Sequence, residues 1–142
     1  MSQDRDISSG PRIARHASGA PWEDQVGYCR AVKAGPFIHI SGTAPINPDG
    51  SCFAPGDVEA QTAKCLDLIG DAVGRFGARY ADVMRTRLFV RNAEDWPAIG
   101  RAHRAVFAEH PPATSLIEIA RLIDPDMLIE IEADAYHPGA SA

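Results

Sequence analysis

Disulfides, membrane spans and basic surfaces are all missing from this sequence. Its three cysteines, Cys29, Cys52 and Cys65, are an odd number without CxxC spacing. That pattern suits thiols packed in a reducing compartment better than a disulfide framework. No apolar stretch approaches the ~20 residues of a membrane-spanning helix, and the N-terminal segment has no apolar core of the signal-peptide kind, so the cytoplasm is the expected location. Fourteen Lys and Arg stand against 19 Asp and Glu, for a net charge of -5. No basic cluster reverses that balance locally, so neither nucleic acid nor membrane is expected as a partner. His16, His39, His103, His110 and His137 form no HxxxH or HExxH pattern, and no metal site is expected. GxSxG, Walker and GxGxxG motifs are absent as well, and Ser41-Gly42 has no accompanying base.

What is present suits one small domain of 142 residues, 45% apolar and 23% charged. Residues 1–21 are polar and without hydrophobic period, which predicts a flexible arm; a single domain is expected over 22–142. Val26 to Lys33 and Phe37 to Ser41 read as strands joined at Ala34-Gly35-Pro36. Asp57 is a fitting N-cap for a helix whose apolar positions run Val58, Thr62, Cys65, Leu66, Ile69, Val73 and Phe76. The strand Val83 to Val90 alternates Met84, Thr86, Leu88 and Val90 against Val83, Arg85, Arg87 and Phe89. A second helix begins near Asp95 with Trp96, Ile99, Val106 and Phe107 as its buried stripe, and Pro111-Pro112 ends it. Strands Thr114 to Ala120 and Met127 to Tyr136 close the order β-β-α-β-α-β-β, an α+β arrangement of one mixed sheet.

Two helices can cover only one face of such a sheet. Ile129, Ile131, Ala133 and Leu88 are expected beneath them. The other face then carries Phe89, Leu116 and Leu128 among Tyr28, Arg30, Arg85, Arg87, Glu118, Glu130, Glu132 and Asp134. Apolar groups mixed with charges of both signs suit a wet interface between subunits. Glu130, Glu132 and Asp134 share one face of one strand, ~6.5–7 Å apart. They and the arginines form either an ion-pair lattice across that interface or an anion site in which Arg87 or Arg30 stands opposite Glu130.

The segments AVKAGPFIHISGTAPINPDG, DVEAQTAKCLDLIGDAV, DVMRTRLFVRNAEDWPAIGRAHRAVFAEHPPAT and IEIARLIDPDMLIEIEADA resemble, in order, the RidA/YjgF family of reactive-intermediate deaminases, also described as endoribonuclease L-PSP-like. The likeness spans roughly residues 22 to 137. It implies a chorismate-mutase-like fold and a homotrimer with clefts between subunits. There, deaminating members hydrolyse 2-imino or 2-enamino acids without a cofactor. The resemblance places Gly42 as a backbone ligand contact, Tyr28 as a cleft hydroxyl and Glu130 as the acid that positions water. Where deaminating members carry arginine this chain has Thr114, with Leu116 for the nearby cysteine and Glu94 for an asparagine. Arg87, Arg30, Thr114 and Glu118 complete the candidate substrate-binding set. Three functions are weighed: a deaminase-type hydrolase, a non-catalytic trimer that binds or sequesters a small molecule, and an endoribonuclease or translation inhibitor, which the acidic charge disfavours.

Overall fold

The structure, a computed structural model, describes residues 12–139. Six strands form one mixed sheet: β1 (Ile13–His16), β2 (Ala31–Ala34), β3 (Phe37–Thr43), β4 (Val83–Val90), β5 (Ala113–Glu118) and β6 (Ile129–Tyr136). Their spatial order is β1-β2-β3-β6-β4-β5, with every pairing antiparallel except β4 with β5. Three helices accompany them: α1 (Pro21–Val26), α2 (Val58–Gly74) and α3 (Trp96–Phe107). The α+β class and the mixed sheet expected from the pattern are both present.

Helix α2 forms where its apolar period says it should, because Asp57 accepts a bond from the Ala60 amide and caps the first turn. Cys65, Leu66, Ile69 and Val73 on its inner side meet Ile129, Ile131, Ala133 and Leu88 of the sheet, all buried as expected. Strand β4 keeps its predicted bounds, Val83–Val90. The chain returns through α3 to lay β5 parallel beside it, with Leu88 opposite Leu116.

Several expectations are corrected. Residues 1–11 of the expected arm lie outside the described residues, but Ile13–His16 is a strand paired with β2. Main-chain bonding orders it although its side chains are largely exposed. The first predicted strand, Val26 to Lys33, is shorter: Val26 ends α1, and Gly27, in the left-handed region at φ 89°, turns the chain before β2 begins at Ala31. In β4 a register shift between Val83 and Arg85 buries Val83 and leaves Met84 exposed, breaking the simple alternation there. Trp96 is 64% exposed rather than part of the α3 stripe, since it stands at the first helical position, ahead of the packed turn.

The largest correction concerns β5. Leu116 packs against the core under the helices, so Thr114, Leu116 and Glu118 do not share the outer face with Arg87 and Glu132. The parallel pairing sets Thr114 beside Thr86, whose buried hydroxyl also meets His103 of α3. Period-two spacing shows which residues of a strand go together; the neighbouring strand decides which way they face.

Candidate functional site

The residues that converge come from four pieces of chain. A bulge in β3 between Ile40 and Thr43 breaks the register with β6 and brings Gly42 against Glu130. The approach is close: a Cβ on Gly42 would lie 2.9 Å from Glu130 Oε2 and 3.0 Å from its Cδ. Glycine is thus required by the carboxylate's position. Gly42→Ala should leave the melting temperature nearly unchanged, because the Glu130 side chain can swing aside, yet lower turnover by about 10²-fold through misplacement. Unchanged turnover would show that this carboxylate position is unimportant.

Arg30 supplies the positive charge. The residue is only 8% exposed, and Nη2 donates to the Gly42 carbonyl at 2.6 Å. Its Nε is the one buried side-chain polar atom without a partner among the described residues. The guanidinium lies 6.0 Å from the centre of the Tyr28 ring. Burial pushes the Glu130 carboxyl above the usual glutamate range; the Arg30 charge pulls it back, while Glu132 adds to the rise.

Buried Glu23 of α1 is the neighbouring acid. Burial tends to raise it, but bonds from Ser18 and the Ala20 amide, with the charge of Arg30, hold it below its ordinary value. These contacts fasten α1 to the segment that follows β1.

Together these pieces enclose a cavity of about 170 Å³. Glu130, Gly42, Arg30 and Tyr28 form its polar side, and among the described residues Arg30 is the only basic one that lines it. The turn that carries the lining residue Met127 is held by Gln61, fully buried on α2. The Gln61 amide donates to the Asp126 carbonyl at 2.9 Å and its oxygen accepts from the Leu128 amide at 2.8 Å, clamping the turn that leads into β6. Apolar periodicity gives no signal for that role, because glutamine at this position looks like a solvent residue. Losing the clamp leaves a buried amide unpaired, a cost of about 1–3 kcal/mol.

The other candidates lie elsewhere. Arg87 is held by Asp134 at 3.0 Å and Glu132 at 3.5 Å, and His39 bonds Asp134 at 2.7 Å. These ion pairs join β3, β4 and β6 of a single chain on the outer face, whereas the expected lattice was one that crossed a subunit interface. Burial would raise Asp134, and the bonds from His39 and Arg87 outweigh it and hold the carboxyl low. Glu118 accepts from the Ala93 amide at 3.0 Å and caps the turn before α3. Thr114 bonds Thr86 at 2.8 Å, and Thr86 meets His103 Nε2 at 2.9 Å. Burial lowers His103 below its usual range, favouring the neutral ring. Neither Arg87, Thr114 nor Glu118 lines the cavity. No cluster of potential metal ligands occurs among the described residues, and none of the described helices is long and apolar enough to cross a membrane.

Comparison with known proteins yields a family. The model described as Endoribonuclease L-PSP matches residues 20–137. The 2-iminobutanoate/2-iminopropanoate deaminase of Escherichia coli K12 is 37% identical over 111 residues, 76% of this chain and 85% of that protein. An uncharacterized protein of Streptomyces coelicolor is 34% identical over 124 residues, 87% of this chain and 92% of its own. A crystal structure of a YjgF/YER057c/UK114 family member from Mycobacterium tuberculosis is similar with a TM-score of 0.80 at 39% identity, covering 88% of this chain and 99% of that one.

Proposed function

Because this chain belongs to the endoribonuclease L-PSP family, the RidA/YjgF proteins, we propose that it is a cofactor-independent hydrolase that deaminates a small 2-imino or 2-enamino acid. The observation that carries this reading is the half-buried Glu130 carboxyl set against Gly42, beside a single guanidinium, at the mouth of an otherwise apolar cavity. Arg30 and the Tyr28 hydroxyl receive the substrate carboxylate. Glu130 takes a proton from water as the water oxygen bonds to the imine carbon. That proton passes to nitrogen as the C=N π bond opens, giving a carbinolamine; the hydroxyl proton then moves through Glu130 to nitrogen, the carbon–nitrogen bond breaks as the carbonyl forms, and a 2-oxo acid and ammonia leave. An enamine enters the same path after protonation at its β-carbon. Burial favours the step, because a carboxylate with a raised pKa is the stronger base near neutral pH.

Homotrimeric assembly belongs to the proposal. The outer face bearing Arg87, Glu132 and Asp134 would be covered by sister subunits, and Thr114, exposed on the edge strand, would approach a neighbour's cavity. At micromolar concentration sedimentation should then show a trimer. A lone 15.3 kDa particle would remove the composite cleft.

The direct test generates a 2-imino acid in situ and follows ammonia release. Acceleration over a protein-free control is expected; its absence overturns the hydrolase. Ligand binding without turnover would instead support a sequestering trimer, the reading favoured by Thr114 standing where the deaminating pattern has arginine.

A further inference from the structure

The polar groups of the cavity occupy one side, and the remainder of its lining is apolar from three directions. Trp22 and Val26 come from α1, Ala44 and Ile46 from the segment after β3, and Ile123 and Met127 from the turn before β6. With Ala20 they complete the lining, and no ionisable group lies among these seven. In the single chain Val26 is 72% exposed and Ile123 70% exposed, so large aliphatic side chains border the opening on the side left free for a ligand or a neighbouring subunit. An opening of this kind gains from an apolar occupant and offers nothing to a charged one, whose desolvation would go uncompensated.

Size agrees with that chemistry. An apolar cavity of about 150 Å³ is enough to take up benzene; this one, about 170 Å³ with its polar side included, holds the carboxylate and imine as well as the side chain. A methyl or ethyl group would leave the apolar wall of α1, Ile46 and Met127 largely uncovered. Each additional methylene removed from water strengthens binding about fourfold.

We propose that this site selects 2-imino acids with a branched aliphatic or aromatic side chain, of the kind formed from leucine or phenylalanine, over the three- and four-carbon ones. The proposal rests on the deaminase reading above. It assigns the reacting carbon to the Glu130 side and the hydrocarbon group to the wall formed by α1, Ile46 and Met127. Glutamate- or lysine-derived imines are excluded by that wall. The reaction that supplies the substrate is then one that oxidises or eliminates at the α-carbon of a large apolar amino acid.

The experiment compares kcat/KM for imines made in situ from leucine, phenylalanine, alanine and glutamate by an amino-acid oxidase. Leucine and phenylalanine imines should exceed the alanine imine by roughly tenfold to a hundredfold, with glutamate imine lowest. Equal or faster turnover of the alanine imine overturns the selectivity while leaving the deaminase reading intact. If no imine is hydrolysed, the deaminase reading fails and calorimetry decides the pocket: 4-methyl-2-oxopentanoate should bind more tightly than pyruvate by a similar factor, and equal binding overturns it. Ala44→Leu, which narrows the cavity, should lower the leucine-to-alanine ratio at least tenfold. An equal loss on both substrates also overturns the proposal.

Discussion

On the proposed deaminase mechanism, replacing Glu130 by glutamine should cut the rate by about 10²–10⁴-fold without unfolding the chain. The substitution keeps shape and removes the basic oxygen proposed to accept the water's proton. Glu130 lies on the outer side of β6, between inward-facing Ile129 and Ile131, so the core is untouched. The pH profile gives the check a structural fault could not mimic. A base works only when deprotonated, so wild-type kcat/KM should rise with pH through the folded pKa, which burial places above the usual glutamate range. Stability should move the opposite way. A carboxyl whose pKa is raised on folding contributes stability below its unfolded pKa, and that contribution is lost as pH rises through the folded value. Glu130→Gln should abolish the acid limb of the rate profile and be no less stable than wild type at neutral pH. A variant that retained wild-type turnover would remove Glu130 from the chemistry.

The second large effect is expected at Arg30. Arg30→Met should weaken binding of a carboxylate substrate by about 2–5 kcal/mol, or about 1.5 to 3.7 decades in kcat/KM, because a sheltered anion loses the cation beside it. Arg30 also holds the Gly42 carbonyl, so a fall in melting temperature alone would prove little. The distinguishing result is electrostatic. The guanidinium draws the Glu130 pKa down, and its removal should move the acid limb of the rate profile to higher pH. Arg30→Lys should restore the limb's position and part of the affinity, since it returns charge without the planar fork. A limb that stayed put in Arg30→Met would place this arginine outside the site's electrostatics.

Much of the frame was legible in residue order. Helix α2 announces itself by Asp57 and its apolar period, and β4 by alternation between residues that the fold keeps as its bounds. The inner row Ile129, Ile131 and Ala133 could be assigned because a strand crossing the core shows one unbroken aliphatic face. The candidate site was harder. Tyr28 and Arg30 stand in an irregular stretch after α1 where no period applies. Thr114 and Glu118 follow the same alternation as Leu116, so once Leu116 turned out to be a core residue, both went with it. Gln61 carries no pattern at all: its contribution lies in bonds to main-chain atoms 65 and 67 residues away. The main-chain bonds of β1 to β2 are equally invisible to hydropathy.

The placement of β6 bears on how this protein is made. It is the last of the described strands yet lies between β3 and β4, each of which needs it as a neighbour. While the ribosome is still translating, those two strands present open edges, with His39 waiting for Asp134, 95 positions downstream. The sheet can therefore close only once β6 has been made, and nascent chains stalled short of β6 should be a preferred target for chaperones that shield unpaired strands.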